Sequence, residues 1–193
     1  MSGPRRSKSQ QRRRVIFHAL HDCIIENGYS NTTLAHIAGK AGMSPSHLLY
    51  YFQGKEKILE EYFADVATWF LRRVEEIAGH EPDRQIRELA ELWFGEGEGV
   101  YNDIGFMLEC FGAAVHDGEM RLTKADFDHA CKDYLLTLFP DGLSSEQLSA
   151  KDAAEIAYAL IIGLRNSVYF DQNMTPADAS RCFREAVEQL RRR

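Results

Sequence analysis

Three hydrogen-bonding side chains, Ser46, His47 and Tyr50, share one side of a short predicted helix at 100° per residue. Leu48 and Phe52, four residues apart, lie on its other side. A helix with a polar, aromatic outer side and an apolar inner side can meet base edges and phosphates in the major groove of DNA. An exposed amphipathic helix with no nucleic-acid partner would have the same pattern, so the neighbouring elements have to decide.

The preceding residues form a second helix with a sharp stop. Its apolar positions recur at the i, i+3, i+4, i+7 spacing of a core-facing stripe and are Leu34, Ile37, Ala38 and Ala41. Thr32 or Thr33 can cap its start, and Gly42 suits a left-handed stop at its end. Ser44 can cap the next helix, whose first position suits Pro45. The pattern predicts a helix-turn-helix.

Charge is divided unevenly along the chain. Residues 1–57 carry nine Lys or Arg against three Asp or Glu, whereas the remainder carries 14 bases and 26 acids. A basic first third is the electrostatic footprint of a domain that neutralises phosphates. A solvated basic tail would explain residues 1–14 equally well, but not Lys40, Lys55 and Lys57 beside the turn.

Composition and motifs disfavour other classes. The 193 residues contain no apolar run long enough to span a bilayer and no Cys-x-x-Cys pair, so we expect a cytoplasmic protein with reduced thiols and no cofactor. Nucleophile elbows, P-loops and zinc-protease motifs are absent, so we do not expect an enzyme. His18 and His21 could form a surface metal site, but no further ligand has a fixed spacing, and a solvated face explains them better.

Helical periodicity runs almost throughout the chain, which predicts an all-α protein of about nine helices. We expect a flexible basic arm at 1–9, a helix-turn-helix domain at 10–54, and a ligand-binding and dimerisation domain at 55–193. The first helix is predicted at about 10–27, and the later helices are predicted at about 55–78, 83–95, 100–115, 119–139, 150–172 and 176–192. The Gly-rich residues 95–99 are expected to form a hinge or loop.

The residues around the turn resemble the tetracycline-repressor (TetR) family of bacterial regulators. The matching pieces are TTL at 32–34, IA at 37–38, AGMS at 41–44, Leu48, YF at 51–52 and KEKIL at 55–59. The resemblance covers about 45 residues from the first helix onwards. It implies a homodimer whose paired recognition helices grip a palindromic operator in double-stranded DNA, and a ligand in the C-terminal domain that releases it.

The resemblance also implies roles for individual residues. Thr33 and Lys55 would bind phosphate from helix N-termini, and Ser46, His47 and Tyr50 would face the bases. Ser44 and Tyr51 complete the predicted DNA-binding set. The family often has Tyr where Leu49 stands, so Tyr50 or Tyr51 is expected to replace that phosphate contact.

The C-terminal domain is expected to hold a largely apolar or aromatic small molecule. The residues proposed for its pocket are Trp69, Phe70, Trp93, Phe106, Met107, Cys110, Phe111, Tyr134, Tyr158, Asn166 and Tyr169. Core packing would explain any one of these aromatics as well. Glu109 is a second polar candidate for orienting a ligand. A cationic ligand held by aromatic faces and by Glu109 or Asp103 is a less favoured variant.

Apolar stripes on the last two helices favour homodimerisation through those helices, which the resemblance also implies. A repressor released by its ligand is the preferred interpretation. A ligand-dependent activator, or a nonspecific DNA-associated protein without an effector, would share the basic first third.

Overall fold

The computed structural model describes residues 4–95, 99–139, 148–171 and 173–192, and within these ranges the chain folds into nine α-helices. The helices are α1 (Pro4–Asn27), α2 (Leu34–Lys40), α3 (Pro45–Leu49), α4 (Lys55–Ala78), α5 (Pro82–Phe94), α6 (Val100–Ala114), α7 (Gly118–Leu136), α8 (Ala150–Phe170) and α9 (Pro176–Arg191). The predicted all-α class is confirmed, and apart from the start of α1 the helix bounds agree with the predicted ones to within about three residues. Residues 96–98 of the predicted Gly-rich loop lie outside the described residues.

The first helix is longer than expected. It begins at Pro4, so residues 4–9, predicted as a flexible arm, continue α1. Arg, Lys and Gln lose little side-chain freedom in a helix, and nothing after Pro4 interrupts the segment. The basic composition of residues 4–9 led to the prediction of a flexible arm, whereas the structure has these residues in α1.

Two compact units divide the chain. The first consists of Met1–Val66 and Gly105–Thr123, and the second of Ala67–Ile104 and Lys124–Arg193. The predicted boundary after residue 54 is where α4 starts, but the first unit continues into that helix. Ile58, Leu59 and Phe63 of α4 are buried in the same core as the helix-turn-helix.

The core of the first unit draws on every helix that enters it. Completely buried side chains from successive helices are Ile16, Leu20, Ile37, Leu48 and Ile58. Phe106 and Cys110 of α6 and Met120 of α7 belong to the same cluster. Burying a large apolar side chain contributes about 1.5–3 kcal/mol, so this shared core is what holds the short α2 and α3 in place.

The second unit is built around α9 and an aromatic cluster. Helix α9 packs on α5 and α8, and its inward residues Ala179, Phe183 and Val187 are fully buried. The rings of Phe70 and Trp93 lie 4.3 Å apart between centroids, and Phe127 packs edge-on against both. Local caps define the ends: Ser149 and Asp152 form a capping box at the start of α8, and Thr175 caps α9.

Candidate nucleic-acid interface

The turn between α2 and α3 has the geometry that its residues predict. The Thr33 hydroxyl accepts from the His36 N–H at 3.2 Å and caps α2. At the other end, the Gly42 N–H donates to Gly39 and the Met43 N–H donates to Ala38, the two bonds of a Schellman motif. Gly42 has a φ of 65°, a left-handed conformation that costs other residues energy because of their Cβ. The corner, which is the turn between α2 and α3, is therefore specified by residues within or next to it.

Helix α3 starts as abruptly as α2 ends. The Ser44 hydroxyl accepts from the His47 N–H at 3.2 Å, and Pro45 occupies the first helical turn, where no N–H is needed. Leu48 is completely buried and anchors the helix to the core below. A single buried anchor on a five-residue helix leaves the remaining side chains free to face outwards.

The outward side of α3 carries the predicted reading residues. Ser44, Ser46, His47 and Tyr50 are exposed, Tyr50 to 83% of its surface. Tyr51 is half-buried, and its ring lies 5.5 Å from that of His47 and 5.3 Å from that of Tyr50 between centroids. The structure thus brings these residues together as one polar and aromatic surface.

Comparison with known proteins agrees with this geometry. Residues 16–62 match the family model described as bacterial regulatory proteins of the tetR family. The chain thus contains, at residues 16–62, a domain of the tetR family of bacterial regulatory proteins. It is also 26% identical over 143 residues to the HTH-type transcriptional regulator BetI of Stenotrophomonas maltophilia, spanning 68% of this chain and 71% of that protein. A 61-residue segment, 32% of this chain, is 36% identical to 31% of the fatty acid metabolism regulator protein of Bacillus subtilis.

Solved structures share the fold over nearly the whole regulator. A transcriptional regulator from a Rhodococcus species has a TM-score of 0.81 at 16% identity, covering 92% of this chain and 95% of that one. A regulator from Saccharomonospora viridis, solved in complex with choline, has a TM-score of 0.78 at 20% identity, covering 93% and 96%. The TM-scores establish the shared fold, and at these low identities the likeness extends to the fold alone, so choline is a ligand of the Saccharomonospora protein.

Lys55 is placed differently from the other predicted contacts. Its ammonium donates to the backbone carbonyls of Tyr29 at 3.0 Å and Thr32 at 2.9 Å, and lies 4.5 Å from the centroid of the Tyr29 ring. The Thr32 hydroxyl in turn donates to the Gly28 carbonyl at 2.9 Å. In this regulator, Lys55 joins the start of α4 to the segment between α1 and α2.

The same segment is held by a residue from far along the chain. The Glu109 carboxylate of α6 accepts a hydrogen bond from the Tyr29 backbone N–H at 3.0 Å. Glu109 was a candidate for orienting a ligand, whereas in the structure its carboxylate bonds to the Tyr29 backbone within the first unit. No local pattern could have shown this, because 80 residues separate the two partners.

Other cations beside the turn are also paired. Lys40 bonds with Glu26 of α1, and Lys57 lies 2.5 Å from the Glu60 carboxylate, one turn further along α4. Solvent-accessible ion pairs of this kind contribute little to stability. The exposed Lys8, Arg12 and Arg14 of α1 extend the basic surface.

The eleven predicted pocket residues do not line one cavity within a single unit. Four lie in the core or core margin of the first unit: Phe106, Met107, Cys110 and Phe111. Another four are buried or half-buried in the second unit: Phe70, Trp93, Tyr134 and Tyr158. The remaining three are exposed: Trp69, Asn166 and Tyr169. Aromatic content alone did not separate core packing from surface, because both use the same helical spacing.

The interior of the second unit contains several polar groups. The Tyr158 hydroxyl donates to Asp128, whose other oxygen lies 2.5 Å from the Lys124 ammonium. Burial raises the pKa of Tyr158, and the bond to Asp128 adds to this. The Arg165 guanidinium donates to the Trp93 carbonyl at 2.8 Å, and burial lowers its pKa to about 10. An apolar ligand here would find a few polar groups that could orient it.

A stripe on α8 faces outwards. Ile156 is 46% exposed and Phe170 73% exposed, while a Cβ added at Gly163 would meet nothing within 4 Å. These residues recur at i, i+7 and i+14, along one side of the helix. The opposite side, with Ala157, Ile161 and Val168, is buried within the chain. The α8 stripe is therefore an apolar surface that the described residues leave exposed.

None of the helices in the described ranges combines the length and apolarity needed to cross a bilayer. Over the same part of the chain, no group of three His, Cys, Asp or Glu side chains is placed to hold a metal ion. The four cysteines are unpaired, with Cys182 half-buried and the other three buried.

Proposed function

We propose that this regulator binds a palindromic operator in double-stranded DNA as a homodimer, represses transcription there, and is released by a small molecule bound in its second unit. The observation that carries the proposal is the outward face of α3, where Ser46, His47 and Tyr50 are exposed above the buried anchor Leu48. Polar and aromatic side chains on a short, well-anchored helix are what direct reading of the major groove requires. Such a protein would act in the cytoplasm and would need no catalytic residues.

The test of DNA binding begins with selection of preferred duplexes from a random pool, followed by footprinting on the selected sequence. We expect protection of two half-sites whose centres are about one helical turn apart. Protection without a fixed boundary would support the nonspecific alternative instead. A reporter driven by the selected operator, with and without the protein, distinguishes repression from activation.

Homodimerisation through α8 and α9 is supported by the α8 stripe. Phe170 and Ile156 would be covered by a second copy, and Gly163 would let the two helices approach closely. A fixed dimer is also a geometric need, since one five-residue helix contacts too few base pairs to define an operator.

A charge placed in the stripe tests this interface. We expect Phe170→Glu to give a monomer in sedimentation velocity, because burying an unpaired carboxylate in an apolar interface is costly. The matched control is Leu122→Glu, which adds the same charge at a residue 65% exposed in the first unit, outside the stripe. A monomeric wild type, or equal effects of the two variants, would overturn the proposed dimer.

The effector is proposed to be largely apolar or aromatic and to contact the second unit. Phe70, Trp93 and Tyr158 supply aromatic surface there, and Asp128, which accepts from the Tyr158 hydroxyl, is a neighbouring polar group. Tyr134, whose hydroxyl donates to Gln85, lies in the same unit. Similar proteins include a regulator of fatty acid metabolism and one solved with choline, so a medium-chain fatty acid and choline are suitable first probes. Either probe would have to bind the DNA-free form more tightly in order to release the operator.

The two tryptophans make this binding observable. Trp93 is 6% exposed in the aromatic cluster, whereas Trp69 is 58% exposed. We expect a probe that binds the second unit to change the emission of the Trp69→Phe variant, in which Trp93 remains, and to leave the Trp93→Phe variant unchanged. Binding by calorimetry with no change at Trp93 would contradict the proposed site.

A further inference from the structure

Three consecutive arginines on α1 have different surroundings. Arg12 and Arg14 are exposed, whereas the Arg13 side chain is 32% exposed and enters the first unit. All three lie in the basic segment whose charge favours DNA binding, and sequence alone treats them alike. Their different burial indicates that Arg13 has another use.

Arg13 contacts two segments distant in sequence. Its guanidinium pairs with the Glu61 carboxylate of α4, which is 33% exposed. The Nη1 atom donates to the Tyr51 carbonyl in a long hydrogen bond of 3.5 Å, and Cζ lies 4.3 Å from the centroid of the buried Phe52 ring. One planar cation thus joins α1, α4 and the residues that follow α3.

Those residues are in direct contact with the proposed reading surface. The Tyr51 N–H donates to Leu48, and the Tyr51 ring packs against both His47 and Tyr50. A five-residue helix has too few internal hydrogen bonds to hold its own last turn. Leu48 anchors the inner side of this turn, and the Arg13 contacts hold the backbone and ring immediately after it.

We propose that Arg13 is a positioning residue for operator recognition, which holds the C-terminal turn of α3 against α1 and α4 instead of binding a phosphate. Its guanidinium, shared among Glu61, Tyr51 and Phe52, sets where the His47 and Tyr50 side chains stand over the base edges. This inference rests on the proposed DNA-binding function. It predicts a loss of sequence preference when Arg13 is removed, where a phosphate ligand would lose affinity on every duplex alike.

The first experiment compares Arg13→Ala with Arg12→Ala and Arg14→Ala, which remove the same charge from neighbouring positions. Affinities for the selected operator and for a scrambled duplex are measured by fluorescence anisotropy over a range of salt concentrations. For Arg13→Ala we expect operator affinity to fall roughly tenfold relative to scrambled DNA, with the salt slope unchanged on both duplexes. If Arg13 instead bound one phosphate in each half-site, its loss from both protomers would reduce the slope by about 1.8 and leave the ratio of the two affinities intact.

Glu61 provides a second, sharper variant. Removing an acid near DNA strengthens binding if net charge decides affinity, so an electrostatic account expects Glu61→Gln to bind every duplex more tightly. If Arg13 is a positioning residue, Glu61→Gln should instead lower the ratio of operator affinity to scrambled-DNA affinity, because Arg13 loses its charged partner. The exchange Arg13→Glu with Glu61→Arg restores the pair across the same two helices and is expected to recover part of that advantage.

Folding is monitored by urea unfolding of every variant, and affinities are compared only at concentrations where the protein is folded. A general structural role would lower the free energy of unfolding and leave the operator ratio of the folded protein unchanged, which would overturn the inference. Equal losses of the ratio in the Arg12 and Arg14 variants would also overturn it. If the wild type shows no preference for any duplex, the proposed function fails before Arg13 is tested.

Discussion

Replacement of His47 by Ala is the most direct test of how this regulator reads DNA. The His47 side chain is exposed on α3, and its backbone N–H, which donates to Ser44, is unaffected by the change. We therefore expect a change of no more than about 0.5 kcal/mol in the free energy of unfolding, as is usual for surface substitutions. What the variant loses is the side chain proposed to contact the base edges.

The magnitude follows from what a base contact contributes. A good side-chain contact to a base edge is worth about 1–3 kcal/mol of discrimination, and a homodimer makes the contact once in each half-site. The two contacts together are worth at least about 2 kcal/mol, and about 1.4 kcal/mol corresponds to a tenfold change, so the preference for operator over scrambled DNA should fall by at least about 30-fold. Affinity for scrambled DNA, which depends on phosphate contacts, should stay within about a factor of two.

His36 supplies a matched control for this measurement. It occupies the same position in α2 that His47 occupies in α3, with its N–H donating to the capping Thr33 at the same 3.2 Å, and it is also exposed. Anisotropy titrations of His47→Ala and His36→Ala on operator and scrambled duplexes separate a role in reading from the general loss of an imidazole. Equal losses on both duplexes for His47→Ala, or the same loss of preference for both variants, would refute the assignment.

Two further predictions concern the fold itself. Gly42→Ala should lower the free energy of unfolding in urea by about 1–2 kcal/mol, because a φ of 65° is strained for a residue with a Cβ. Gly39→Ala should raise the free energy of unfolding by about 0.5–1 kcal/mol, because Gly39 lies inside α2 with open space at its Cβ. Changes of the same sign in the two variants would contradict the assigned turn. Burial raises the pKa of the Cys110 thiol and raises that of Cys131 to about 12, so at pH 8 a thiol reagent should label the half-buried Cys182 first and should reach the other two only on unfolding. Rapid labelling of Cys110 in the native protein would mean that the core of the first unit opens far more readily than its packing indicates.

Sequence patterns predicted the DNA-reading corner well because its determinants are local. A cap joins residues three apart, and the Schellman motif at Gly42 spans only six residues. The starts of α5, α8 and α9 were also predictable, since Pro82, Ser149 and Thr175 lie within one turn of the helix ends that they define. These features need no knowledge of distant partners.

The uses of individual charged and aromatic residues depended on the tertiary structure. The hydrogen bond that Lys55 donates to Tyr29 and the one that Glu109 accepts from Tyr29 join residues 26 and 80 positions apart, and neither spacing has a recurring pattern. Trp69 and Phe70 are adjacent in sequence, yet one is exposed and the other buried in the aromatic cluster. A helical stripe has the same period whether it faces a core, a ligand or a second copy of the chain.

The amino-acid sequence by itself determined the helices of this regulator, the corner between α2 and α3, and the residues presented there, because caps, glycine conformation and apolar periodicity act over a few residues. Only the tertiary structure decided that Arg13 holds the end of α3 while Arg12 and Arg14 stay exposed. A long cationic side chain binds whichever carboxylate, carbonyl or ring the fold brings within reach, and that choice is made by packing between distant segments.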